Sequence, residues 1–193
     1  MSRDSTDERT DGALLLALRD TGETMAFEVL VKRYERPLYG FIARQLGNRT
    51  HARDVYQQTL LNILDRIETC SSPESFKPWA FSIASNLCRN FRRTQATTRA
   101  GERALGEVSA IASRLPDPEQ AVAANQTAQR IAEALAALPD VQREVFVLHH
   151  YTQLSYDEVA AATGAPLGTV KSRMNAALVQ LRSLLASLGE ETR

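Results

Sequence analysis

Thr169, Lys171, Ser172, Arg173, Asn175 and Ala176 crowd short polar, cationic and small side chains into one brief stretch of chain. On a helix, Val170, Met174, Ala177, Leu178 and Leu181 share the inward stripe. Thr169, Ser172, Arg173 and Ala176 then lie on the opposite side, flanked by Lys171 and Asn175. Short hydrogen-bonding groups and cations at the exposed start of a helix are what contact with base edges in a major groove requires. A solvated face of an ordinary helical bundle has the same polarity and is the plainer alternative.

A second constellation lies between Phe76 and Thr94. There Phe76, Ala80, Ile83, Ala84, Leu87 and Phe91 make an apolar stripe, and Ser82, Asn86, Arg89 and Arg93 align along one flank with Asn90 beside them. Amides and guanidinium groups suit unstacked base edges and phosphates, and phosphate contacts from Arg92 and Arg93 would weaken as salt rises. Trp79 is expected at the edge of the core, and Phe81, off the stripe, as an exposed aromatic. Asn86 reads equally well as a buried amide holding a loop.

Catalytic patterns are missing. His51, His149 and His150 have no accompanying nucleophile and orienting group, and no glycine-rich phosphate loop or paired-carboxylate motif occurs. Cys70 and Cys88 lie far apart, and no Cys/His spacing matches a zinc site. The expectation is a non-enzyme without metal or cofactor. The aliphatic run Leu14 to Leu18 is too short to span a bilayer, so a cytoplasmic protein without membrane anchoring is expected.

The elements that must position these groups are helices. The 193 residues are 44% hydrophobic and 24% charged, with few glycines and prolines, which suits an all-α fold. The 23 basic and 23 acidic residues cancel, so nucleic-acid binding would have to come from local basic faces. Apolar periodicity predicts a tail over 1–10 and a helical domain over 11–95. A flexible, mostly extended linker over 96–124 follows, where Gly101, Gly106, Pro116 and Pro118 interrupt the pattern, then a second helical domain over 125–188 and a tail over 189–193. In the first domain, one helix is expected from about Met25 to Leu46 and another from about Thr50 to Glu68. Tyr56, Leu60, Ile63, Leu64 and Ile67 make the inner stripe of the latter.

The second domain carries helix-turn-helix grammar. Ser155 and Glu158 form a capping box, Gly164 permits a left-handed helix exit, and Pro166 prepares entry into the helix that bears Lys171 and Arg173.

On these residues a family resemblance becomes specific. Ala136 to Val145, Leu154 to Ala160 and Gly168 to Arg173 resemble region 4 of extracytoplasmic-function sigma factors, although response regulators of the LuxR type share the Gly-Thr-Val-Lys flavour. Phe27 to Tyr34, Ala52 to Gln57, Phe76 to Asn86 and Arg92-Arg93 resemble sigma region 2 in order and spacing, and no receiver-like pattern accompanies them. The resemblance implies a DNA-binding specificity subunit that docks on core RNA polymerase. Thr169, Lys171, Ser172, Arg173, Asn175 and Ala176 would read the upstream (-35) element, and Ser82, Asn86, Arg89, Asn90 and Arg93 would melt and hold the start-proximal (-10) element. A stand-alone helix-turn-helix regulator and a protein-binding bundle are the other classes that the residues allow.

One departure stands out. Where the family carries an acidic patch facing the basic polymerase clamp, this chain has Arg53, Asp54, Gln57 and Gln58, of which Asp54 alone is acidic. Such a face mismatches a positive partner. The resemblance extends to a branch activated by Ser/Thr kinases, with Thr59, bordering the apolar stripe, as the expected acceptor and Thr50 and Tyr56 as lesser ones; equally, Thr59 merely borders the core and Asp65 or Glu68 helps to supply the clamp contact. A phosphate would restore the missing sign. A kinase or an anti-sigma factor is therefore an expected partner besides polymerase and promoter DNA.

Overall fold

The computed structural model describes residues 7–70, 72, 75–104 and 122–190, and among them it is all helix, with no strand. The first half holds α1 (Asp11–Thr21), α2 (Thr24–Leu46), α3 (Arg49–Asp65), a short 3₁₀ turn (Ile67–Thr69) and α4 (Phe76–Ala104). The second holds α5 (Val122–Ala137), α6 (Asp140–Thr152), α7 (Tyr156–Thr163) and α8 (Leu167–Glu190). None of the described helices is long and apolar enough to cross a membrane.

Local chemistry sets the breaks. The Thr10 hydroxyl accepts from Ala13 N at 3.2 Å to start α1, and Asn48 Oδ1 accepts from Thr50 N at 2.9 Å and His51 N at 3.2 Å to start α3. Between α2 and α3 the backbone reverses at Gly47, whose φ of 66° would strain a side chain. Apolar stripes then close the bundle. Leu30, Leu38, Phe41 and Ile42 of α2 are buried with Val55 and Ile63 of α3 and with Phe76, Ala80, Ile83 and Ala84 of α4. In the second half, Leu135, Leu138, Val145, Leu148, Val159, Val170 and Met174 do the same.

Three expectations need correction. α4 continues ten residues past Thr94, because the Ala, Arg and Gln residues that follow favour helix and a single Gly101 costs only about 1 kcal/mol; of the expected linker, residues 105–121 lie outside the described residues. Phe81 is not exposed but fully buried, edge-on to Phe41 with ring centroids 5.7 Å apart, so α4 buries a broader arc than one stripe. On α3 the buried face is Ala52, Val55, Thr59 and Ile63, and Leu64 points outward at 45% exposure. The two halves also touch, a point on which the sequence carried no expectation: α6 packs along α2 and α7 along α4.

Phe81→Ala should destabilise the protein by about 3–5 kcal/mol in guanidinium denaturation, the cost of emptying a large core site. An exposed aromatic would cost less than about 0.5 kcal/mol.

Candidate nucleic-acid interface and polymerase-docking face

The helix that bears Lys171 and Arg173, α8, is held from behind. At the start of α7, the Ser155 hydroxyl accepts from Glu158 N at 3.2 Å and Glu158 Oε2 accepts from Ser155 N at 2.7 Å, completing the capping box. Gly164 exits with φ of 67°, and Val170 N donates to Pro166 O at 3.0 Å to begin α8. Val170, Met174, Ala177 and Leu181 are buried, with Leu178 partly so. This fixes the rotation of α8. Lys171, Ser172, Asn175 and Ala176 are exposed, while Thr169 and Arg173 are half-buried at the edges of the same face. Ser172 Oγ donates to Thr169 O at 2.9 Å and so presents lone pairs outward. The structure brings all six residues onto one side of one helix. It adds Val179, 64% exposed, which shares a shallow groove with Asn175, Ala176 and Gln142. Its signal in the sequence was an apolar residue off the inward stripe.

On α4, Asn86, Arg89, Asn90 and Arg93 are exposed and Ser82 is half-buried, its hydroxyl donating to Trp79 O at 2.7 Å. Arg89 Nη2 donates to Asn86 Oδ1 at 2.7 Å, making an amide and guanidinium pair on the surface. The alternative of a buried Asn86 is thus set aside. Trp79 sits partly buried against Phe76, ring centroids 6.0 Å apart, as a core-edge anchor. Beside this flank, burial pushes the Cys88 thiol up to about 12. It therefore stays protonated and unreactive at neutral pH.

Two arginines of α4 reach across to the second half, a feature with no signal in helical periodicity. Arg92 Nη1 lies 2.8 Å from Asp140 Oδ1 and its Nη2 donates to Gln45 Oε1 at 3.1 Å. Arg89 Nη1 donates to Thr163 O at 3.3 Å, and its Nε lies 3.7 Å from Glu144 Oε1. Buried Ser85 donates to the same Glu144 oxygen. Asp140 also accepts from Arg143; burial, with Arg92 beside it, pulls that guanidinium below its ordinary range while Asp140 opposes the shift.

Arg53, Asp54, Gln57 and Gln58 are exposed together on α3, and Leu61 (56% exposed) and Leu64 extend this face toward Glu68. Thr59 is not on it. Its side chain is fully buried and its hydroxyl donates to Val55 O at 2.7 Å, so the expected accessibility is corrected. The reason is register: Thr59 stands in line with Val55 and Ile63, in the middle of the buried face.

Comparison with known proteins covers both halves. Residues 30–98 match the model of Sigma-70 region 2, and residues 128–193 that of Sigma-70, region 4. The chain is 30% identical to the ECF RNA polymerase sigma factor SigE of Mycolicibacterium smegmatis over 96% of its own length and 72% of the relative's. It is likewise 30% identical to SigW of Bacillus subtilis, covering 86% of this chain and 92% of that one. The solved structure of CnrH, in complex with the cytosolic domain of CnrY, matches with a TM-score of 0.67 at 26% identity, over 93% of this chain and 99% of that chain. The exposed face of α8 and the amide and guanidinium flank of α4 thus lie within matched regions 4 and 2, and the chain belongs to the extracytoplasmic-function RNA polymerase sigma factors, which direct promoter-specific transcription and are not enzymes.

Proposed function

We propose that residues 11–95 grip core RNA polymerase through the exposed face of α3 and hold the non-template strand of the -10 element along α4, while residues 125–188 read the -35 element through the front of α8. The observation that carries this reading is the geometry of α8, whose rear is locked in the core so that Lys171, Ser172, Asn175 and Ala176 must face outward. On α3, Arg53 offsets Asp54, and docking therefore draws on Leu61 and Leu64 as well as on Gln57 and Gln58. Such a protein acts where the polymerase is, in the cytoplasm.

Kinase control is the finer reading of the acid-poor face. Thr59 cannot receive a phosphate while α3 is packed. Thr50 is exposed in the first turn of α3, one turn before Asp54. A phosphate there adds about −1.5 to −2 charges at a helix N-terminus, which favours anions, and supplies the sign that the docking face lacks. The complex of CnrH with the cytosolic domain of CnrY supports a protein partner as a second means of control.

Purified bacterial core polymerase should retain this protein in a pull-down and should produce promoter-dependent run-off transcripts only in its presence; a stand-alone regulator fails both. In filter binding of the holoenzyme, Arg173→Ala should cost about 1–3 kcal/mol and relax selectivity at one upstream position. Lys171→Ala should weaken all sequences alike and lower the salt slope by about 1. Thr50→Glu should raise affinity for core polymerase relative to Thr50→Ala, whereas Thr59→Glu should lower the denaturation midpoint by burying an unpaired carboxylate.

A further inference from the structure

Where α4 faces α2 and α6 the surface opens into a cleft of about 340 Å³, within the range of about 300–1,000 Å³ typical of ligand pockets. Gln45 lines it from α2 and is 2% exposed. Arg92 Nη2 donates to Gln45 Oε1 at 3.1 Å. A guanidinium can only donate, so the amide oxygen must face Arg92 and the amide nitrogen must turn away from it. There Gln45 Nε2 is buried without a hydrogen-bond partner. Native structures seldom leave a buried donor orphaned, and one beside an open cleft calls for an acceptor from outside the chain. Arg93, exposed on the same wall, has no partner for its guanidinium among the described residues.

The opposite wall supplies acceptors. Among the described residues, the side-chain contacts of Asp140 fall on Oδ1 and those of Glu144 on Oε1, so Oδ2 and Oε2 keep their lone pairs. Three guanidinium groups, of Arg89, Arg92 and Arg93, face these two carboxylates, an excess of one positive charge. The Cys88 thiol that also lines the cleft stays protonated at neutral pH and adds no negative charge. Such a site suits a single phosphate that carries hydroxyl donors: the oxyanion meets Arg93 and Gln45 Nε2, and the hydroxyls donate to Asp140 and Glu144. It does not suit a DNA strand, whose successive phosphates the acids repel and whose sugar lacks the 2′-hydroxyl. We propose that this cleft binds a sugar phosphate, either free or as the ribose 5-phosphate part of a mononucleotide. Val141, 42% exposed, and Ala96 offer an apolar rim against which a base would lie. The proposal does not depend on the strand-binding role of α4.

The test is isothermal titration calorimetry of the full chain with inorganic phosphate, ribose, ribose 5-phosphate and AMP. Ribose 5-phosphate should bind saturably and about tenfold tighter than inorganic phosphate, the worth of a hydroxyl donating to a carboxylate, and ribose should not bind. AMP tighter than ribose 5-phosphate identifies the nucleotide as the source of the group, and AMP weaker identifies the free sugar phosphate. Gln45→Leu and Arg93→Gln should each weaken ribose 5-phosphate about tenfold. Asp140→Asn should bring the affinities of ribose 5-phosphate and inorganic phosphate together, because a hydroxyl acceptor and a repelling charge go at once. Arg36→Gln, which removes an exposed arginine elsewhere on α2, should change neither. Absence of saturable heat with every phosphate, or an affinity unaltered in both Gln45→Leu and Arg93→Gln, would overturn the site. Inorganic phosphate binding as tightly as the ester in the unsubstituted protein would overturn the sugar. If Gln45→Leu instead weakens a labelled single-stranded DNA oligonucleotide read by anisotropy and spares ribose 5-phosphate, the cleft belongs to the strand and the proposal fails.

Discussion

Burial of the apolar arc of α4 is the contact on which the remaining geometry depends. With Phe76, Ala80, Phe81, Ile83 and Ala84 inside, the helix has no rotational freedom left, and Asn86, Arg89, Asn90 and Arg93 are forced to its outer flank. The same helix supplies Ser85, Arg89 and Arg92 to the second half. One element therefore carries the core of region 2, its cationic surface and its seam with region 4. Its packing decides all three together.

A protein of zero formal charge that acts on DNA must concentrate its cations locally. Region 4 does so by exposing Lys171 at the front of α8, with Arg173 at the edge of the same face, and region 2 does so along α4. The compensating acids are not spread evenly: Asp140 and Glu144 lie against the arginines of α4. Two acids of the second half thus neutralise arginines of the first across one seam.

The α3 face shows how little separates a surface residue from a core residue on one helix. Gln58 and Thr59 are adjacent, yet one is exposed and the other wholly buried. A step of about 100° around the helix is enough to take a side chain from solvent to core. Leu61 and Leu64 stand on the solvent side, which gives the acid-poor face apolar area where electrostatic complementarity is weak.

Sequence by itself determined the all-helical class, the cap and exit of α7 and the inward stripe of α8, because hydrophobic period, capping boxes and glycine exits are local physics that a few neighbouring residues settle. The Ser155 and Glu158 box, the Gly164 exit and the burial of Val170, Met174 and Leu181 were all legible in that way. Tertiary structure alone decided the burial of Phe81 and Thr59, the outward turn of Leu64 and the meeting of Arg89 and Arg92 with Glu144 and Asp140. Each of these depends on which helix stands opposite. A side chain at the border of a stripe is inside or outside according to a neighbour far away in sequence, and no local period records that neighbour.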